Sequence, residues 1–334
     1  MTYDKILNQK DTISETILAK IDPEHTKKDA PYTAKSLRDI RYTIRYVVEG
    51  LKNDSPAIII HYFRWLRKTL AGIGIDPDVT ESLFDAVKET LTPHLSEKDR
   101  ELLFDIDTDD FKKKPANTSD TKNGDRDDTY LSYLLDKNKT GAIKHLEKLH
   151  QDGMSIEKIH NDVIKPAMYE IGTLWQEGSI SVADEHLATV ITQYAMTILY
   201  PSLFSGNKKE VNVIGAAIGP DLHEIGIRMV TDRFEAAGYQ THYLGANTPK
   251  EALVSYAKDN KPALIALGIT LPVYLSEMRE TIRALRAEGA LKDVKILIGG
   301  QPFLIDSGLI ETMGADGYAE DASEALKVGE DLAG

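Results

Sequence analysis

The chain of 334 residues contains no cysteine. Disulfides, thiolate metal sites and thioether attachment of a chromophore are therefore excluded, and the expected compartment is the cytoplasm. No apolar run approaches the roughly 20 residues of a membrane span, so no membrane partner is expected. The first twenty residues carry charges throughout and lack the apolar centre of a signal peptide. Positive charge is in deficit: 40 Lys and Arg against 53 Asp and Glu give a net charge of -13. That balance, with no convincing basic patch, argues against nucleic acid as a partner. What the chain does have is enough apolar residue, 42%, to build packed cores, and a length that suits two or three domains.

Residues 1–111 read as helical. Leu37, Ile40, Ile44, Val47, Val48 and Leu51 recur at a helical spacing over 35–51. Ser55-Pro56 suits the start of a second helix, to about Ala71, and 77–91 and 96–104 suit two more. Residues 112–128 are polar and charged and read as a solvated linker. Residues 129–207 are helical again and form a four-helix-bundle cap. Ser155 is placed to cap one helix, Pro166 should kink it, Gly178 should end it, and Ser181-Val182-Ala183-Asp184 opens the next. Residues 208–334 alternate strand and helix, with β-rich runs at 211–219, 242–247, 264–270 and 294–300 and a short one near 317–319. Thr248-Pro249-Lys250-Glu251 has the pattern of a capping box. The fold class is α/β plus all-α: an N-terminal helical domain, the cap, and a flavodoxin-like, doubly wound parallel sheet of five strands.

The segment Asp221-Leu222-His223-Glu224-Ile225-Gly226 follows the first β-rich run and precedes an amphipathic helix. A His on such a loop can ligate a metal. The carboxylate two residues before it can accept the other imidazole proton, fixing the tautomer, and the Gly three residues after it lets a bulky ligand approach the backbone. The segment resembles the Asp-x-His-x-x-Gly signature of cobalamin-binding domains. The resemblance implies that His223 takes the lower axial position on cobalt, as the metal ligand. It further implies that Asp221, His223, Gly226, Gly245, Thr270, Leu271, Gly299 and Gly300 bind the cofactor, the small residues at strand ends making room for its nucleotide tail.

Upstream, nine residues separate Trp175 from Glu185-His186. This spacing resembles the cap of adenosylcobalamin-dependent light sensors of the CarH type, in which the Trp packs on the adenosyl group and the Glu binds its ribose. Trp175, Glu185 and His186 are accordingly expected at the cofactor, with adenosylcobalamin as the bound form. Gln176 departs from that pattern, since the family has a second cobalt-ligating His there. Residues 39–51 and 60–66 resemble the N-terminal domain of photoreceptors that lack a DNA-binding domain, including the photocobilin type. That likeness implies a bilin such as biliverdin as a second, non-covalent ligand.

The resemblance thus implies a regulatory light sensor rather than an enzyme. Light would break the cobalt–carbon bond and change conformation, homo-oligomerisation or a protein signalling partner. The alternative is a corrinoid methyl-carrier protein of a methyltransferase system, with a similar cap and sheet but an upper face that must open. A radical mutase would need a substrate barrel, for which too few residues remain.

Overall fold

The computed structural model describes residues 2–113, 127–203 and 208–333. Most of the expected linker, residues 114–126, lies outside them. The chain divides into two compact units, residues 1–118 with 305–309, and residues 119–304 with 310–334. Among the described residues, no helix is long and apolar enough to cross a membrane.

The first unit holds α1 (Thr2–Asn8), α2 (Lys10–Ile21), α3 (Ala30–Lys52), α4 (Pro56–Gly72), α5 (Val79–Leu91) and α6 (Glu97–Phe104). Helix α3 starts five residues before the sequence pattern suggests. Asp29 accepts a hydrogen bond from the Tyr32 backbone at 2.8 Å and Pro31 fits the first turn, so the chain is already helical before its apolar stripe begins. That stripe, Ile40, Ile44, Val47, Val48 and Leu51, is buried. Aromatic rings fill the same interior: Tyr46 stacks on Tyr62 with centroids 4.3 Å apart, and Phe63 stacks on Phe111 at 4.9 Å.

The second unit begins with the cap: α7 (Asp128–Leu135), α8 (Lys139–Gln151), α9 (Ile156–Lys158), a π-helical segment Ile159–Ile164, α10 (Lys165–Gln176) and α11 (Val182–Leu199). Ser155 accepts from the Lys158 backbone at its expected capping position. The irregularity expected of Pro166 is the π segment, which places the proline in the first turn of α10, where its missing N–H costs no helical bond. Gly178, at φ +72°, turns the chain after α10. Ser181 and Asp184 form the reciprocal capping box of α11. The cap interior is apolar, with Tyr130, Leu146, Ile159, Ile164 and Ile191 almost fully buried, and Tyr130 donates to the Thr192 hydroxyl at 3.0 Å.

The sheet comprises β1 (Asn212–Ala217), β2 (Gln240–Tyr243), β3 (Leu264–Gly268), β4 (Lys295–Gly299) and β5 (Gly317–Tyr318). All pairings are parallel, in the order β2-β1-β3-β4-β5. Helices α12 (Ile225–Ala236), α13 (Lys250–Asn260), α14 (Leu275–Ala287), α15 (Gln301–Ile305), α16 (Gly308–Met313) and α17 (Ala322–Ala333) complete it. The cap is continuous with this domain: Met229 of α12 and Ala322 of α17 belong to the cap's own apolar core. Consecutive strands β1 and β2 lie to one side of the point where β3 joins β1 on the other. The carboxyl ends of β1 and β3 therefore open a crevice, the standard ligand position of such sheets.

Two local expectations are corrected. Strand β2 lies earlier than 242–247, because the chain leaves the sheet after Tyr243, so Gly245 stands two residues beyond the strand rather than ending it. The capping box at 248–251 does not form. Pro249 is the cap residue of α13 without a side-chain bond, and the Thr248 hydroxyl donates to the Gly245 carbonyl at 3.3 Å.

Candidate functional site

The loop from β1 to α12 is built around one carboxylate. Asp221 is fully buried. Its Oδ1 accepts from His223 Nδ1 at 2.7 Å and from the His223 backbone at 3.1 Å. Its Oδ2 accepts from the backbones of Thr270 at 2.5 Å and Leu271 at 3.1 Å, across the crevice beyond β3. Burial alone would raise the carboxyl above its ordinary range, but the His223 and Thr270 bonds outweigh it and hold Asp221 below. The same bond to Asp221 raises His223 against the effect of its own partial burial, and the charge of Glu185 adds to the rise. Asp221 thus fixes the ring: Nδ1 carries the hydrogen toward the carboxylate, which leaves Nε2 able to accept a bond or ligate a metal. The His223 side chain is 56% exposed, and no described residue bonds to Nε2.

The other expected residues fall into three groups. Thr270 and Leu271 join the cluster through backbone N–H groups rather than through their side chains. Gly226, in the first turn of α12, has open space where a side chain would project, whereas Gly300 is pressed against the Ile269 carbonyl. Gly299 ends β4 and accepts from the Ile269 backbone at 3.3 Å, and Gly245 accepts from Ala217 at 2.9 Å, so both shape the strand ends. In the cap, Glu185 faces the site closely enough for its charge to act on His223. Its Oε1 accepts from the Thr189 hydroxyl at 3.2 Å. His186 is turned outward, its side chain 73% exposed, with Glu185 at 3.6 Å. Trp175 is half-buried near the end of α10.

Sequence reasoning missed Glu224. Its Oε1 accepts from Gln193 Nε2 of α11 at 2.6 Å. Its Oε2 accepts from the Tyr243 hydroxyl at 2.8 Å and the Ala246 backbone at 2.9 Å. Arg228, one turn further along α12, donates to the Gln193 carbonyl and the Thr197 hydroxyl. These two side chains pin the last cap helix over the loop that carries His223. Leu222, beside the imidazole, is 73% exposed.

Residues 211–327 match a family model described as a B12 binding domain, and residues 127–200 match a second model of the same description. Dimethylamine corrinoid protein 1 of Methanosarcina acetivorans is 32% identical over 171 residues, which are 49% of this chain and 78% of that protein. Dimethylamine corrinoid protein 3 of the same organism is 27% identical over 177 residues, 53% of this chain and 82% of that one. The solved structure of the Methanosarcina barkeri monomethylamine corrinoid protein shares the fold, with a TM-score of 0.55 at 24% identity over 61% of this chain and 96% of that chain.

These findings correct the expectation of a CarH-type light sensor: the relatives are amine corrinoid proteins, and they support neither an adenosyl ligand nor a bilin. Trp175 lies in the last turn of α10, and Glu185 in the first turn of α11, where a carboxylate is favoured by the helix dipole.

Proposed function

This chain belongs to the corrinoid proteins, and from that premise we propose that it carries a methyl group on a bound corrinoid between methyltransferase partners. The observation that carries the reading is the Asp221–His223 pair, a fixed and half-exposed imidazole on the loop that follows β1. The residues fit a corrinoid. The one imidazole offered here suits a metal that its own macrocycle already holds. The open space at Gly226 admits a bulky group beside it. When bound, the corrinoid supplies a cobalt ion able to take up a one-carbon group and give it up again.

The chain's own residues do three things. His223 would hold the metal, Asp221 orients its imidazole and raises its basicity, and the Thr270 and Leu271 backbones lock Asp221. The cap helix α11, pinned through Glu224 and Arg228, would shield the bound group from water. The bond-breaking groups then belong to the partners, so the chain is a carrier subunit rather than a complete enzyme. The names of its relatives point to a methylated amine as donor.

The test is transfer of label. Reduced, corrinoid-loaded protein is incubated with labelled dimethylamine and a dimethylamine methyltransferase, and separately with labelled methyl iodide. Label on the protein-bound corrinoid in both reactions supports the reading. A protein that binds the corrinoid yet takes label from neither donor sinks it.

A further inference from the structure

A cavity of about 230 Å3 lies where the cap meets α12 and α17, away from the crevice. Asp232 is eight residues beyond Glu224 along α12, about 12 Å at 1.5 Å per residue. Asp232 and His160 face each other there, their side chains more than nine-tenths buried, with His160 Nε2 4.0 Å from Asp232 Oδ2. That is too far for a hydrogen bond, and no described residue bonds to either side chain. His160 arrives on the π-helical segment that precedes Pro166. Buried polar groups are nearly always satisfied, so an ionisable pair left apart and facing a cavity calls for a third group.

The lining narrows what that group is. Glu157 is paired with Arg233 at 2.7 Å, whereas Asp232 has no paired cation among the described residues and feels the charge of Arg228 without contact. Leu203, Met229 and Ala236 make the remainder of the wall apolar, which suits carbon rather than a hydrated ion. We propose that this cavity binds a small protonated alkylamine, its N–H groups donating to Asp232 and His160 and its carbon lying against Met229, Leu203 and Ala236. Burial keeps His160 neutral at pH 8, so one ring nitrogen can accept such a bond. The proposal goes beyond the carrier reading and stands without it, since the cavity holds none of the residues assigned to the corrinoid.

The probe is dimethylammonium chloride, titrated calorimetrically into the whole protein at pH 8 and constant ionic strength, with and without bound corrinoid. Tetramethylammonium chloride, which has no N–H donor, is the comparison. Saturable binding of dimethylammonium is expected, weakened at least tenfold by Asp232→Asn and unchanged by Asp259→Asn on exposed α13. Ala236→Leu, which fills the cavity and keeps the carboxylate, should also weaken binding, and covers the case in which Asp232→Asn does not fold. No saturable heat with the wild-type chain overturns the proposal. So does equal binding of tetramethylammonium, or undiminished binding in both folded cavity variants.

Discussion

The Gln193 side chain donates to Glu224 at 2.6 Å, and this bond ties the last cap helix to the residue that follows His223. Because Glu224 also accepts from Tyr243 and Ala246, cap position and crevice shape are read by the same carboxylate. The carrier reading needs the cap to cover the site and to be movable. At the crevice the pin is polar, so water can replace its bonds, while Met229 and Ala322 still join cap and domain through apolar contact.

Removing the pin should loosen the cap without unfolding the sheet. Glu224→Ala leaves the Ala246 N–H and the Gln193 amide without their acceptor, and bonds to a charged group are worth about 1.5–3 kcal/mol. Hydrogen exchange in α11 should accelerate by ten- to a hundredfold, while β1 and β3 keep their protection. Uniform acceleration across cap and sheet would mean that the bond supports the whole unit and is no hinge.

The imidazole and its carboxylate should be separable by experiment. His223→Ala removes the proposed axial ligand, so the visible spectrum of the cobalamin-loaded protein should revert to that of a cofactor with no protein nitrogen on cobalt. Asp221→Ala keeps the ligand but strips its orienting partner and leaves the backbone N–H groups of Thr270 and Leu271 buried without an acceptor. A loss of ten- to a hundredfold in cofactor affinity is expected from such a change. Spectrophotometric titration checks both, and a wild-type spectrum for His223→Ala rules the assignment out.

Gly300 tests the crevice from its other side. Its φ is +122°, and a Cβ there would lie 1.8 Å from the Ile269 carbonyl oxygen, a backbone atom that cannot swing away. Gly300→Ala should therefore cost about 3 kcal/mol or more, combining backbone strain with a steric clash. Gly226→Ala meets nothing within 4 Å and should leave urea stability nearly unchanged while weakening cofactor binding. Equal stability losses in the two variants would contradict this contrast.

The sequence reveals the parts of the fold whose cause is local. β1, β3 and β4 are largely buried, so they appear as unbroken apolar runs, and the Asp221-x-His223-x-x-Gly226 segment is legible because it resembles a known signature and stands between such a run and an amphipathic helix. β2 is misplaced because it lies at the sheet edge, half exposed, where apolar content is a weak guide. Glu224 is illegible because its partner Gln193 lies 31 residues away in another element, and nothing in either residue type announces the other. The CarH likeness misleads because part of its spacing is a first-turn carboxylate, Glu185, which helices favour for their own stability.

His160 and Asp232 should give the cap junction two opposed pH dependences. Burial, aided by the charge of Arg228, lowers His160 from 6.5 to about 4. The unfolded chain then takes up this proton first as pH falls, so the stability tied to a neutral His160 is complete above 6.5 and is lost on the way down to 4. Burial raises Asp232 from 3.8 to about 6, with Arg228 opposing and Glu235 adding. Here the folded state holds the proton longer, so stability is complete below 3.8 and is lost as pH rises through 6. Between about 4 and 6 the two slopes offset each other, and the other charges at the junction, Glu157, Arg233, Arg228 and Glu235, are common to all variants. Asp232→Asn abolishes the second slope alone. Its melting temperature should exceed that of the wild type at pH 8, by a stability difference on the order of 1–3 kcal/mol, and should fall more steeply between pH 6.5 and 4. His160→Gln should do the reverse and lose the acid sensitivity. Parallel melting-temperature curves for the three proteins from pH 4 to 8 would show that neither group is buried in the form described.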